Sequence, residues 1–343
     1  MSIVMTGGGT GGHLAIIKAV KEHLKDEELI YIGSTKGQDQ AWFEKDPDFL
    51  NTYFLETRGV VNQGVFGKVG SLWKIIISAL RVRRILRRHQ ASVVFSVGGF
   101  SAAPAALAAK LSGVPLVIHE QNAALGSLNR LLKPYADMFT SSYLEESPVK
   151  AYPVKEAFFD NARIRTKVET VIFLGGSQGA KAINDLALKL APSLKEKKIR
   201  IIHQAGSNKI DEVKEQYRHM GIEADVFGFT AQMAAHMKEA DFAIARAGAS
   251  TLWELSATAL PTLFIPFPSA AGDHQYYNAK FLADQGLAWL KREDEIEEDE
   301  VLALLDEDMT AISKGLTATV EKEGSEKTAA LLKGFQSAVR VKS

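Results

Sequence analysis

Ser2-Ile3-Val4-Met5-Thr6 runs straight into Gly7-Gly8-Gly9-Thr10-Gly11-Gly12-His13, and the chain later repeats the pattern as Thr170-Val171-Ile172-Phe173-Leu174 followed by Gly175-Gly176-Ser177-Gln178-Gly179-Ala180. Each reads as a buried strand, a glycine-rich turn and a helix start. That arrangement lets bare backbone N–H groups meet a phosphate at the positive end of a helix dipole. Two such turns predict two stacked α/β domains, each a doubly wound parallel sheet, with a ligand between them.

Outward from these turns the alternation continues. Apolar runs at 29–32, 53–55, 93–97, 116–118 and 138–140 alternate with helical stretches at 14–24, 72–88, 104–111 and 127–132. In the second half, runs at 171–174, 201–203, 226–227, 242–245 and 262–265 are separated by helical stretches at 183–195, 211–219, 233–238, 251–257 and 275–284. These strands lack an inside/outside alternation, so both faces are covered and the sheets are mainly parallel. Ligands should collect at the C-terminal strand edges. Pro148 and Pro153 interrupt the pattern and mark the linker, giving domains at 1–153 and 154–324.

The chain has 343 residues, beyond what one core usually fills, with 46% hydrophobic and 24% charged residues. Its formal net charge is +0, but from Thr57 to His119 there is no acidic residue, and an acidic run from Glu293 to Asp308 balances that stretch. Cysteine is absent, which excludes disulfides and thiolate metal sites. No signal peptide and no run of about 20 apolar residues is visible, so neither export nor a membrane span is expected.

Gly7, Gly9 and Gly12 satisfy a G-x-G-x-x-G pattern, which raises a nicotinamide dinucleotide. That reading needs an acid near the end of the second strand, where the chain reads Tyr31-Ile32-Gly33-Ser34-Thr35. Neither turn continues into the lysine of an ATP-binding P-loop. Asp46-Pro47-Asp48 is a D-x-D in letter, but it lies in a polar loop, and no metal or cofactor is expected. The acids after Glu293 read as a solvated loop and helix start.

Seven segments occur in the order and spacing of the MurG family. They are Gly8 to His13, Gly98-Gly99-Phe100 with Pro104, His119-Glu120-Gln121-Asn122, Gly175 to Ala180, Arg246-Ala247-Gly248-Ala249 through Glu254, Pro261 with Pro266, and His274-Gln275 with Asn278-Ala279. The chain resembles that family over nearly its whole length. The resemblance implies a GT-B architecture, two Rossmann-like domains facing across a cleft, with a C-terminal helix of about 325–343 packing back on the first. It implies an inverting transferase that moves GlcNAc from UDP-GlcNAc to the C4 hydroxyl of a polyprenyl-pyrophosphate-linked MurNAc-pentapeptide in peptidoglycan synthesis. A UDP-sugar 2-epimerase and a catalytically silent UDP-sugar-binding protein of the same fold are the alternatives; a nucleic-acid partner is not expected.

Transfer of a sugar from a nucleotide diphosphate leaves negative charge on the departing group. Ser177, Gln178 and Gly179 at a helix start offer donors for it. The Glu254 carboxylate can accept ribose hydroxyls on a helix opened by Ala249, Ser250 and Thr251. By resemblance His274 and Gln275 read the GlcNAc hydroxyls, and backbone at Thr230 meets the uracil. Thr10, Gly11, Gly12, Asn122 and Lys155 complete the expected donor contacts, Lys155 standing where many family members have arginine. His13 is the leading general base, since an imidazole at a helix N-terminus is kept neutral by the dipole and can take a proton from a hydroxyl. Glu120 is the rival base.

Trp73, Ile75, Ile76 and Ile77 lie at successive steps around a helix and cannot all face one core. Arg84, Arg87 and Arg88 follow. An apolar patch of Trp73 and Ile76 beside this basic cluster is a two-signal recipe for an anionic membrane surface. By resemblance that surface is the cytoplasmic face of the plasma membrane.

Overall fold

The computed structural model describes residues 1–57, 65–176 and 178–342, with side chains left aside at 65–72 and 339–342. The chain divides into one compact unit of Met1–Lys155 with Glu323–Ser343 and a second of Glu156–Lys322.

In the first unit, strands β1 (Ser2–Thr6), β2 (Glu28–Ser34), β3 (Asn51–Leu55), β4 (Val93–Ser96), β5 (Leu116–Glu120) and β6 (Met138–Ser141) form one parallel sheet in the order β3-β2-β1-β4-β5-β6. Helices α1 (Gly11–Lys21), α2 (Asp39–Phe43), α3 (Val65–Arg88), α4 (Ala103–Ser112) and α5 (Ser127–Leu132) connect them. The core on one face joins Val4, Ile30, Ile32, Val94 and Ile118 to Val82 and Leu86 of α3 and Ala105 and Ala109 of α4. The C-terminal helix Gly324–Lys342 is tied to this unit. Ser325 Oγ donates to the Val154 carbonyl at 2.8 Å and Gln336 Nε2 to the Met1 carbonyl at 2.9 Å.

The sheet reverses its winding between β1 and β4, and the glycine turns after these strands meet there. A Cβ on Gly99, at φ +78, would lie 2.3 Å from the Gly8 carbonyl oxygen, so backbone packs on backbone. Asp39 completes the turn from α2, an element that sequence reading missed. Its buried carboxylate accepts from Gly9 N at 2.7 Å, Ser34 N at 3.1 Å and Tyr31 OH at 3.0 Å. The Tyr31 phenol is pushed far up, first by burial and then by Asp39. Asp46 and Asp48 both hold the Lys21 ammonium, and Asp48 sits below its ordinary pKa chiefly through that hydrogen bond.

The second unit contains α6 (Glu156–Asp160), β7 (Thr170–Leu174), α7 (Lys181–Glu196), β8 (Arg200–Gln204), α8 (Ile210–His219), β9 (Ala224–Phe227), α9 (Met233–Glu239), β10 (Phe242–Ala245), α10 (Ala249–Ala257), β11 (Thr262–Phe264), α11 (His274–Ala283), β12 (Trp289–Leu290), α12 (Glu298–Leu304) and α13 (Thr310–Thr319). Its sheet runs β12-β11-β10-β7-β8-β9, all parallel. Renumbered from its own first strand, this is the same 3-2-1-4-5-6 order as in the first unit, the doubly wound pattern with its switch point between first and fourth strands.

Two buried polar groups organise this unit. The Arg165 guanidinium is fully buried and donates to carbonyls of Arg163 (2.7 Å), Met237 (2.8 Å), Ala240 (3.2 Å) and Thr258, so one cation serves the C-terminal ends of α9 and α10. Burial lowers its pKa to about 9. His203 on β8 is clamped by Tyr217 OH and Asn184 Oδ1, each at 3.0 Å, and Asn184 Nδ2 donates to the Ala205 carbonyl behind the second glycine turn.

Replacing Asp39 by alanine leaves the Gly9 and Ser34 N–H groups without this acceptor. The expected cost is roughly 2–4 kcal/mol, read as a lower urea midpoint, with Asp39→Asn milder because one oxygen survives. Burial also lowers the His203 pKa to about 4. The unfolded chain therefore binds a proton below its ordinary pKa of about 6.5 that the folded chain refuses until about 4. Stability from this neutral histidine is present above that range and is lost as pH falls through it, with a slope of up to about 1.4 kcal/mol per pH unit. Urea midpoints measured from pH 7 to 4 should fall less steeply in His203→Gln than in the parent chain.

Candidate functional site

At the first switch point, Thr10 is the N-cap of α1 and His13 lies in its first turn. The two ring nitrogens of His13 are both engaged: Nδ1 is 2.9 Å from Thr10 Oγ1, and Nε2 is 3.0 Å from Gln121 Nε2. Gln121 follows β5 directly, and sequence reading gave it no role; nothing in a lone glutamine marks a reach to a residue more than a hundred positions away. His119, one strand position before Glu120, is fully buried with Nδ1 3.0 Å from Thr140 Oγ1. Burial, with His13 adding to it, lowers the His119 pKa to about 3, so this neighbour stays neutral.

Glu120 belongs to β5 itself and is 1% exposed. One carboxylate oxygen accepts from Asn122 N at 2.9 Å and Asn122 Nδ2 at 3.2 Å, the other from Gly126 N and Asn129 Nδ2, both at 2.9 Å. Its geometry is that of a staple for the loop entering α5. Lys155, an expected donor contact, has a partner within the first unit. Its ammonium lies 2.6 Å from Glu22, the C-cap of α1, at the opposite end of that eleven-residue helix from the glycine turn.

In the second unit a cleft of about 650 Å³ opens at the switch point between β7 and β10. Gln178, Gly179, Thr251 and Gln275 line it, four residues expected from sequence, together with Lys181, Arg246, Phe267 and Glu293. Ser177 lies outside the described residues. Two amides of the turn have partners within the unit: Gly176 N donates to Gln204 Oε1 at 3.1 Å and Gly179 N to the Gly176 carbonyl at 2.9 Å. The starts of α7 and α10 border the cleft, and Gly248, the N-cap of α10, supplies no side-chain cap. A first helical turn lacks intrahelical acceptors for its N–H groups, so this end suits an anion.

Thr251 and Glu254 sit one helical turn apart on the partly exposed side of α10, while Ala249 and Ser250 are buried. Asn278, fully buried on α11, donates to the Ala247 carbonyl at 3.2 Å and holds the loop before α10. His274 Nδ1 donates to the Ala271 carbonyl at 2.7 Å, and Gln275 Oε1 accepts from Phe267 N at 3.0 Å. Thr230 Oγ1 accepts from Gln232 N at 3.0 Å in the turn before α9. The acidic run is not simply solvated. Glu293 pairs with Arg246, which also donates to the Ile265 and Pro266 carbonyls at 3.0 and 3.1 Å, and Glu298 and Glu300 pair with Lys189 and Lys291.

On α3 the structure separates two apolar faces. Ala79, Val82, Ile85 and Leu86 are buried, whereas Trp73 is 64% exposed, Ile77 52%, Leu80 50% and Ile76 38%. The exposed set shares one stripe that Arg84 and Arg87 continue, with Arg88 at its edge, all three exposed. Among the described residues no helix is long and apolar enough to cross a membrane.

The glycosyltransferase family 28 N-terminal domain matches residues 3–140 and the family 28 C-terminal domain residues 170–333. The UDP-N-acetylglucosamine--N-acetylmuramyl-(pentapeptide) pyrophosphoryl-undecaprenol N-acetylglucosamine transferase of Sulfurovum sp. is 68% identical over 98% of this chain and 99% of its own length. The enzyme of the same name from Wolinella succinogenes is 51% identical over 96% and 98%. Among solved structures, Acinetobacter baumannii MurG superposes with a TM-score of 0.75 at 26% identity, covering 97% of this chain and 99% of that one. With the doubled sheet topology and the paired switch-point turns, these likenesses place the chain in glycosyltransferase family 28, as a member of the MurG family.

Proposed function

We propose that the protein transfers GlcNAc from UDP-GlcNAc to the C4 hydroxyl of undecaprenyl-pyrophosphoryl-MurNAc-pentapeptide. The observation that carries this reading is the 68% identity over nearly the whole chain to a transferase of that name. The second unit holds the donor: the starts of α7 and α10, with Gln178, Lys181 and Arg246, bind the diphosphate, Glu254 takes the ribose hydroxyls, Thr230 backs the uracil, and His274 and Gln275 face the sugar. The first unit holds the acceptor beside His13.

The hydroxyl proton passes to His13 Nε2 while the oxygen lone pair bonds to the anomeric carbon. The bond from that carbon to the diphosphate breaks, and its electron pair leaves on UDP. Attack opposite the leaving group inverts the centre and gives a β-1,4 link. The exposed stripe of α3 supports attachment to an anionic bilayer: its Trp73–Leu80 part supplies apolar area, and each arginine adds about 1 kcal/mol near such a surface. On this reading the protein is a peripheral enzyme of the cytoplasmic membrane face, where the lipid-linked acceptor lies.

UDP should be released from UDP-GlcNAc only when lipid-linked acceptor is added. Conversion without acceptor to a UDP-sugar inverted at C2 points to an epimerase, and neither release nor conversion to a silent binder; either outcome rejects the transferase. His13→Ala should lower kcat by roughly 10²–10⁴ with donor affinity little changed. For the membrane, Trp73→Ser with Ile76→Ser, or Arg84, Arg87 and Arg88 replaced by glutamate, should reduce sedimentation with anionic vesicles. Turnover of a water-soluble, short-chain acceptor should survive. Salt should weaken the basic contribution over a Debye length of about 8 Å but not the apolar one. A parent chain that ignores anionic vesicles even at low salt removes the membrane assignment.

A further inference from the structure

We propose that Gln121 is a positioning residue that fixes the His13 ring and its tautomer and can serve both protonation states of that ring. This rests on the reading of His13 as the base. The amide nitrogen of Gln121 lies 3.0 Å from His13 Nε2. An amide nitrogen only donates, so the ring nitrogen it meets is an acceptor carrying the lone pair. A neutral imidazole has one N–H, which is then at Nδ1 and donates to Thr10 Oγ1 at 2.9 Å. The ring is held from both sides, by the N-cap residue of its own helix and by the segment after β5.

That segment is itself fixed. Gln121 is 7% exposed, and the preceding Glu120 carboxylate anchors Asn122, Gly126 and Asn129. The second observation is that Gln121 Oε1 is buried and, among the described residues, has no hydrogen-bond partner. Turning the amide over presents this acceptor to His13. In the neutral enzyme the amide donates to Nε2; the acceptor hydroxyl takes its place there and passes its proton to Nε2; the Gln121 carbonyl then accepts the new N–H. A glutamate of the same length could meet only a ring that carries a proton on Nε2, and a methionine neither form.

The test uses the full chain with ¹⁵N-labelled histidine, read by NMR, together with steady-state kinetics on UDP-GlcNAc and the lipid-linked acceptor. The parent chain should show His13 as the Nδ1–H tautomer. Gln121→Glu should move the proton to Nε2, and both Gln121→Glu and Gln121→Met should lower kcat, by up to about 100-fold, with KM for UDP-GlcNAc unchanged. An Nε2–H tautomer in the parent chain overturns the proposal, as do parent-like kcat values in both variants. A loss that raises the donor KM and lowers the unfolding midpoint equally in both variants assigns Gln121 to folding alone and also overturns it. His13→Ala at full kcat sinks the base reading instead, while an Nδ1–H tautomer in that case leaves the clamp standing.

Discussion

In each unit the glycine turn after the first strand is pressed backbone to backbone against a neighbouring loop. In the first unit that neighbour follows β4, across the switch point: the Gly8 carbonyl meets Gly99, where a Cβ would sit 2.3 Å away. In the second it follows β8, beside the switch point: the Ala205 carbonyl meets Gly179, again with 2.3 Å for a Cβ. No side chain fits either place, so glycine is a packing requirement there before it is a binding device. These approaches fix the turns that lead into α1 and α7.

The two turns then diverge in how they are neutralised. The first receives an internal anion: Asp39 takes the Gly9 N–H and leaves the start of α1 to a histidine clamped through its ring nitrogens. The second receives a neutral glutamine, Gln204, on Gly176, and borders a cleft with Arg246 and Lys181 on its wall. A carboxylate built into the first turn opposes a second anion close by, whereas the second site gathers two helix starts and two cations, Lys181 and Arg246, each paired with a carboxylate on the same wall, Asp185 and Glu293. One topology, used twice, thus yields one place suited to a proton acceptor and one suited to a diphosphate.

Fold was legible because it is written in local signals. Parallel strands covered on both faces appear as short apolar runs, and a strand followed by clustered glycines has few other physical readings. Only short or partly polar elements escaped: α2, α6 and the two-residue β12 bury too little apolar area to leave a pattern. The site was legible as a set of candidates where a residue sits on a motif, as with His13 and with Gln178, Thr251 and Gln275, which line the cleft. It was not legible where the role depends on a distant partner. Asp39 takes its meaning from Gly9, thirty residues away, and Gln121 from His13, and neither contact has a sequence signature. For Glu120 and Lys155, too, the structure adds partners that spacing cannot reveal: the loop entering α5 for the one and Glu22 for the other.

The same distinction governs α3. Trp73, Ile75, Ile76 and Ile77 wrap the helix, and from sequence this is equally a helix buried all round. The buried Ala79, Val82 and Leu86 show which side belongs to the core. Once that side is assigned, Trp73, Ile76, Ile77 and Leu80 fall on the opposite one, in line with Arg84 and Arg87. Packing alone gives no reason to keep large apolar groups there, since exposed positions on a helix gain nothing from tryptophan over a charged residue. The proposed membrane attachment gives such a row a reason: an apolar row that turns basic along its own axis suits a bilayer, with the row toward acyl chains and the arginines toward headgroup phosphates.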